Sequence, residues 1–331
     1  MTPHSENPYH RVVVVGGAGF IGSHLVRTLL ERLDTERVVV FDNFSSGREW
    51  HLESVASDPR LEVVVGEVRD LDTLSDAMAG TTTVVHLASN PDIAKAMTDP
   101  TIDFDEGTLL THCVVEASRR AGASLVLYAS GSGVYGELGT LEADEHHGPL
   151  EPVSTYGASK LAGEALLASY CHMFGLRGRA FRFGNVVGPN QTHGVGFDFV
   201  RKLLADPSRL DVLGDGSQSK SYVHVDDVLA AVLLAGERAR DPYAVFNVAT
   251  GDYVTVREIA DLAIECLGLD PSSVKRVYGG GDRGWKGDVP VVRLATKRIR
   301  ALGWSNRYDT RAALRASMAA MLADARVGRL Q

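Results

Sequence analysis

A valine run, Arg11-Val12-Val13-Val14-Val15, leads directly into Gly16-Gly17-Ala18-Gly19-Phe20-Ile21-Gly22, and an amphipathic stretch from Ser23 to Leu33 follows. An unbroken β-branched run fits a strand buried on both faces, as in a parallel sheet. Glycines at 16, 19 and 22 let the chain turn tightly and bring the start of a helix close to the strand. A strand, a glycine turn and a helix whose first N–H groups face that turn make a cradle for a pyrophosphate. The spacing G-x-x-G-x-x-G differs from the commoner G-x-G-x-x-G, and a glycine-rich turn also arises for steric reasons alone, so the neighbouring segments must decide.

The second strand, Arg37-Val38-Val39-Val40-Phe41, ends in Asp42, about 20 residues beyond Gly22, where an acid can hold ribose hydroxyls. A carboxylate there repels a 2′-phosphate, so NAD is expected over NADP, with Arg48 a few residues on as the one softening influence. Further strands are expected at Leu61-Val65, Thr83-Ala88, Leu125-Ala129 and Arg179-Phe183. Helical periodicity falls between them at Asp72-Ala79, Thr108-Ala121 and Thr155-Phe174. This alternation predicts an α/β fold, a Rossmann-type doubly wound parallel sheet with helices on both faces.

Past Pro189 the rhythm loosens. Helices are expected at Phe197-Leu204, Asp226-Glu237, Val256-Leu267, Thr296-Leu302 and Arg311-Ala325. Strands fit Leu210-Leu213 and Ala244-Val248, and a glycine-rich loop spans Gly279-Gly287. The expected division is a cofactor domain of residues 1–184 plus roughly 226–250, and a smaller, mainly C-terminal α/β substrate-binding domain of 185–225 and 251–331.

With 331 residues, 44% of them hydrophobic, the chain can bury a sizeable core in one or two domains. No apolar run reaches membrane-spanning length, and the polar first ten residues carry no secretory pattern. Cys113, Cys171 and Cys266 lie far apart in apolar segments and read as reduced core thiols, so a cytoplasmic location is expected. A net charge of −8 argues against a nucleic-acid surface but leaves room for a phosphorylated ligand on local cations and helix N-termini. His146-His147, and His224 beside Asp226 and Asp227, lack the spacing of a metal-ligand set, so no metal is expected.

The segment Ser154-Thr155-Tyr156-Gly157-Ala158-Ser159-Lys160 places a Tyr four residues before a Lys on one helix face. A free phenol has a pKa of about 10, and an ammonium one turn away together with a cationic nicotinamide favours the phenolate. Tyr156 is therefore a candidate proton acceptor during hydride transfer, although such a pair alone also fits an exposed helix face.

Eight segments now stand in order: Gly16-x-x-Gly19-x-x-Gly22; Phe41-Asp42-Asn43-Phe44-Ser45-Ser46-Gly47; His86-Leu87-Ala88; Val134-Tyr135-Gly136; Tyr156-x-x-x-Lys160; Arg182-Phe183-Gly184-Asn185-Val186-Val187-Gly188-Pro189; Gly214-Asp215-Gly216; and Tyr222-Val223-His224-Val225-Asp226-Asp227. Over nearly the whole chain they resemble the extended short-chain dehydrogenase/reductases that act on nucleotide sugars, most closely the UDP-glucose (galactose) 4-epimerase-like branch. The resemblance implies a bound NAD that cycles while C4 of an NDP-hexose is oxidised to a 4-keto intermediate and reduced on the other face. Tyr156 would move the O4 proton, and Lys160 would hold the nicotinamide ribose and lower the Tyr156 pKa. The cofactor would contact Gly16, Gly19, Phe20, Ile21, Gly22, Asp42, Asn43, Ser45, Gly47, Glu67, Val68, Leu87 and Ala88, besides Tyr156 and Lys160. Asn185 would contact the substrate, Lys220 stands where a phosphate-binding Arg is usual, and Arg283 is the best match to a second one, with Trp285 at the aligned position. Relatives pair the helices Thr108-Ala121 and Thr155-Phe174 into a homodimer interface.

Three positions depart from the family's pattern. Its Ser or Thr three residues before the Val of Val-Tyr-Gly, which hydrogen-bonds the reacting O4, is Gly131 here; Ser132 and Ser130 flank it, and Ser132 is favoured as the replacement. Glu67 replaces the usual Asp near the adenine, and Phe104 stands where an Asn commonly precedes Gly107-Thr108. Dehydratase relatives carry an Asp-Glu pair, and decarboxylases a Glu, where Ser132-Gly133 lie, and the segment Thr192-Phe197 has no Arg for a C6 carboxylate. The expected activity is thus a 4-epimerase on a neutral UDP-hexose. The alternatives are another nucleotide-sugar enzyme (a UDP-glucuronate 4-epimerase, a decarboxylase or a dehydratase) and a catalytically weak NAD- and nucleotide-sugar-binding protein.

Overall fold

Strands β1 (Arg11–Val15), β2 (Arg37–Asp42), β3 (Leu61–Val65), β4 (Thr83–His86), β5 (Leu125–Gly131) and β6 (Arg177–Phe183) join the strand Tyr243–Val248 in one seven-stranded sheet. The order is Tyr243–Val248, β6, β5, β4, β1, β2, β3, in a computed structural model that describes residues 7–330. Residues 1–6, part of the segment read as lacking a secretory pattern, lie outside the described residues.

Strand β1 pairs in parallel with β2 on one side (Val12 opposite Val38) and with β4 on the other (Val12 opposite Thr83). Strands β2 with β3 and β4 with β5 are parallel too. Val12 to Val15 are all buried, as a strand covered on both faces requires. Strand order reverses between β1 and β4, so the crevice beyond their C-terminal ends is the topological switch point where doubly wound sheets take ligands.

Helices α1 (Phe20–Leu30), α2 (Leu71–Ala77), α3 (Leu110–Arg120) and α4 (Thr155–Phe174) connect these strands. Helix α1 ends before Leu33, which is fully exposed, three residues short of the expected stretch. The expected helix Thr108-Ala121 is in fact an α-helix preceded by a wide π turn, Phe104–Leu109. Within that turn Gly107 lies so close to Ser159 that a methyl there would stand 2.6 Å from its Oγ, and Thr111 returns its hydroxyl to the Gly107 carbonyl at 2.8 Å. Helical periodicity carries no sign of such a turn.

Two compact units emerge from packing. The first takes the chain up to Gly131 with Ala158–Arg182 and Leu229–Phe246. Its core gathers Val13, Val39, Phe41, Leu74, Met78, Val114, Val126 and Leu167, each such side chain stabilising the fold by about 1.5–3 kcal/mol. Two buried polar groups bind Leu229–Phe246 into it: the Tyr9 hydroxyl donates to the Leu233 carbonyl (2.8 Å), and Arg179, fully buried in β6, donates to the Ala239 carbonyl (2.7 Å).

The second unit takes Ser132–Gly157, Phe183–Val228 and the chain from Asn247 onward. Three small strand pairs, Asn185–Val187 with Tyr222–His224, Arg209–Val212 with Lys275–Tyr278 and Ser219–Lys220 with Val254–Thr255, accompany helices Val195–Ala205, Val256–Cys266 and Thr310–Arg326. The helices share a core of Phe199, Leu203, Ile259, Leu262, Leu314 and Met318. Thr255 and Glu258 close a capping box at the start of Val256–Cys266. Ser132–Gly157 falls here, although the sequence division left it within 1–184. It is tied there by Asn247, a fully buried amide that donates to the carbonyls of Ala143 (2.9 Å) and Ala295 (3.0 Å) and accepts from the Tyr135 hydroxyl (2.8 Å), and by Ala143, whose N–H donates to the Arg293 carbonyl (3.0 Å).

Candidate active site

At the switch point, Gly16 and Gly22 of the glycine turn each answer a collision. Gly16 has φ +84°, and a methyl on it would stand 2.7 Å from the Ala88 backbone nitrogen, the first residues after β1 and β4 being that close. A methyl on Gly22 would strike the Gly16 carbonyl oxygen and stand 2.7 Å from the Gly17 Cα. Leu87 and Ala88 both donate their N–H to the Val15 carbonyl (2.9 and 3.0 Å), which fixes the opposite lip. Gly19 is the N-cap of α1, and no side chain caps that helix end, so the first turn, with Phe20 and Ile21, presents its positive end to a ligand. A close-packed glycine turn at an uncapped helix start fits the pyrophosphate of NAD.

Asp42 is buried and binds backbone with both oxygens: Oδ2 accepts from Ala18 N (2.9 Å) and Oδ1 from Phe44 N (2.8 Å). Its negative charge is thereby fixed beside the turn. Gly47 packs on Ala18, a methyl there standing 2.9 Å from the Ala18 Cβ. Asn43 donates to both carboxylate oxygens of exposed Glu67 (3.1 and 3.3 Å) and accepts from Ser45 N (3.0 Å). Val68 is buried in the core.

Lys160 is almost wholly buried. Its Nζ donates to the Ala129 carbonyl (3.0 Å) and lies 5.4 Å from the centre of the Tyr128 ring. Burial lowers its pKa to about 8, opposed by the negative charge of buried Asp103. Asp103 was not singled out from the sequence, where nothing links it to Lys160. His86 is buried and neutral: Thr111 gives its own proton to Gly107, so His86 donates from Nε2 (3.1 Å), and burial with the Lys160 charge pushes its pKa down to about 3.

The two serines beside Gly131 differ sharply. Ser130 is buried, and its hydroxyl donates to Glu164 Oε1 (2.6 Å), a carboxylate that also holds Arg182 through two bonds (2.9 and 2.7 Å). It braces a buried ion pair. Ser132 lies in the second unit, half-buried, on a small depression that it lines with Tyr135, Leu138, Leu141 and Val292. Gly131 has open space around its missing Cβ, so no collision demands a glycine there.

Within the second unit the loop after Ser132 abuts the start of α4. A methyl on Gly157 would stand 2.5 Å from the Gly133 carbonyl oxygen, and Ser154 caps the helix by accepting Gly157 N–H (3.1 Å). Tyr156 is therefore held beside the Ser132-Gly133 turn, half-buried and one helical turn before Lys160. Asn185 is exposed at the head of its strand, paired opposite Tyr222. Lys220 is paired with Asp288 (2.5 Å), whose other oxygen accepts Gly284 N–H (3.2 Å). Arg283 is paired with Asp282 and Glu137 (3.0 Å each). Phe104, one of the departures, is exposed.

A sequence model of the NAD dependent epimerase/dehydratase family matches residues 12–249. A putative UDP-glucose 4-epimerase of Methanocaldococcus jannaschii is 31% identical over 305 residues, covering 90% of this chain and 94% of its own. A crystal structure of a UDP-galactose 4-epimerase superposes with a TM-score of 0.84 at 36% identity, over 95% of this chain and 99% of that one. A dTDP-glucose 4,6-dehydratase from Streptomyces venezuelae, solved with NAD bound, superposes at 0.87 with 30% identity, over 95% and 97% of the two chains.

Proposed function

The chain belongs to the NAD dependent epimerase/dehydratase family, and from that premise we propose that it is a 4-epimerase interconverting UDP-glucose and UDP-galactose. The observation that carries this choice within the family is the Ser132-Gly133 turn beside Tyr156, which bears no acid. Elimination across C5 and C6, or decarboxylation, calls for a further acid or base at the sugar, and inversion at C4 does not.

Bound NAD supplies the hydride acceptor and donor for C4. Tyr156 takes the O4 proton as the alcohol is oxidised and returns it on reduction. Lys160, dry and cationic below its pKa of about 8, holds the tyrosine in its basic form and orients the nicotinamide ribose. Ser132 supplies the hydroxyl to O4 that position 131 lacks; Ser130, committed to Glu164, serves as scaffold. Asn185 contacts the sugar nucleotide, and Lys220 and Arg283 hold its diphosphate by exchanging Asp288 and Glu137 for phosphate oxygens. Asp42, Asn43, Ser45, Gly47, Glu67 and Val68 bind the adenosine half. The chain up to Gly131 with Ala158–Arg182 and Leu229–Phe246 forms the cofactor domain, and the second unit the substrate domain. The protein forms homodimers through α3 and α4 and works in the cytoplasm; among the described residues no helix is long and apolar enough to cross a membrane.

Purified protein incubated with UDP-galactose and followed by NMR is expected to yield UDP-glucose. Failure to interconvert any NDP-hexose with NAD bound would reject the activity. Tyr156→Phe is expected to lower kcat by about 10²–10⁴-fold, and full activity in that variant would remove the assigned base. Light scattering at micromolar concentration tests the dimer.

A further inference from the structure

Ala18, in the middle of the glycine turn, has both backbone polar groups held by residues that the fingerprint does not contain. Its N–H goes to Asp42, as described above. Its carbonyl accepts two donors, Arg48 N–H at 3.1 Å and the His51 ring nitrogen Nδ1 at 2.7 Å. A carbonyl only accepts, so the proton of neutral His51 is on Nδ1, and Nε2 carries a bare lone pair. That Nε2 is buried with no hydrogen-bond partner among the described residues. The ring is enclosed, its edge set against Trp50 at 4.2 Å between centroids.

A trans peptide is planar, with its C=O and N–H pointing opposite ways. Pinning the Ala18 carbonyl therefore aims the Gly19 N–H, which donates to the Gly16 carbonyl at 3.3 Å, and so fixes where α1 starts. The first turn of α1 is the part of the cradle that faces a pyrophosphate.

We propose that His51 is a positioning residue: as a neutral, Nδ1-protonated imidazole it clamps the glycine turn in its pyrophosphate-receiving form and sets how long NAD stays bound. The clamp concerns the cofactor alone and does not depend on which sugar reacts. It also makes retention sensitive to acid. Protonating Nε2 places a charge where nothing accepts its hydrogen, next to the Arg48 guanidinium, with Asp42 as the only opposing charge among the groups that act on the ring; burial and Arg48 hold the His51 pKa below the ordinary imidazole value. Lys160, with its pKa of about 8, also changes charge as pH falls, and because His51→Asn keeps it, only the difference between that variant and wild type reports on the ring.

The test compares wild-type holoenzyme with His51→Ala and His51→Asn. An Asn amide can donate to the Ala18 carbonyl from nearly the same place and has no proton to gain. NAD release is followed after rapid dilution at about pH 8 and at steps of falling pH carried below the ordinary imidazole range, and the thermal midpoint of each apo protein is recorded beside it. His51→Ala is expected to release NAD about tenfold faster than wild type at the higher pH, the size of one lost buried hydrogen bond. His51→Asn is expected to match wild type there within about threefold and to lose the acceleration that wild type shows in acid. Equal retention by wild type and His51→Ala would overturn the clamp. So would His51→Asn leaking as fast as His51→Ala, because packing and not the hydrogen bond would then be at work, and so would equal acid acceleration in His51→Asn and wild type. If His51→Ala does not fold, the comparison of His51→Asn with wild type still decides: retention in the Asn variant matching wild type at the higher pH and losing the acid response supports the clamp, and an equal acid response overturns it. Wild-type protein that binds no NAD would overturn the cofactor assignment and the clamp together, whereas a protein that binds NAD but epimerises no sugar leaves the clamp standing.

Discussion

Two glycine-rich segments, Gly16–Gly22 and Gly279–Gly287, use the same residue for opposite reasons. In the first, glycines are imposed by neighbours: at Gly16 and Gly22 a methyl meets fixed backbone. In the second, Gly280 and Gly281 have φ of +80° and +78° with nothing within 4 Å of a built Cβ. They serve the bend alone. The first segment is clamped by buried hydrogen bonds to Ala18, and the second is fastened by ion pairs, Lys220–Asp288 and Arg283–Glu137. Under the proposed function, the cofactor's cradle is rigid and dry, while the two cations proposed to take the diphosphate, Lys220 and Arg283, rest on carboxylates they can exchange.

The sharpest way to break this contrast is Gly22→Ala. Collision with the Gly16 carbonyl and the Gly17 Cα is expected to cost about 3 kcal/mol and abolish NAD retention, read by urea unfolding and by absorbance of the purified protein. An unchanged midpoint would mean that the turn yields.

Lys160→Met follows, with the opposite sign. The folded-state pKa of about 8 lies below the ordinary 10.5, so the unfolded chain holds the proton more tightly. The resulting penalty is full below about 8 and fades as pH rises toward 10.5. The apo variant should be more stable than wild type at neutral pH by on the order of 3 kcal/mol, with the gap closing in alkali and epimerisation lost. A gap independent of pH would assign the gain to packing.

In the exchangeable region, Lys220→Ala is expected to raise KM for the nucleotide sugar by about tenfold while leaving NAD retention unchanged. A fall in kcat with constant KM would place Lys220 nearer the reacting carbon. The smallest effect is Gly281→Ala, about 1 kcal/mol from the left-handed backbone and no collision, seen as a minor shift in the unfolding midpoint.

The same contrast explains what was legible in the sequence. Gly16 and Gly22 are readable because local geometry forces their identity within one strand–turn–helix, and Gly19 and Asp42 because their spacing from that turn is short and fixed. Lys220 and Arg283 are readable as cations, but their carboxylates at 288 and 137 lie 68 and 146 residues away, and no local pattern announces them. Ser130 and Ser132 look alike in sequence; only the Glu164–Arg182 pair, brought from α4 and β6, separates a brace from an available hydroxyl. Ser132–Gly157 is held in the second unit by Asn247, 104 residues beyond the Ala143 carbonyl it donates to, and by backbone bonds of Ala143 with Arg293 and Ala295, partners too distant in sequence for a local pattern to announce. The π turn before α3 sets Gly107 against Ser159, again a meeting of distant residues.

Three chain segments of the first unit alternate with three of the second, so the polypeptide passes from one to the other five times. Neither unit can be cut out as a continuous piece of gene, and neither could have been acquired by simple end-to-end fusion. Swapping either unit by genetic exchange would therefore require five matched junctions and not one.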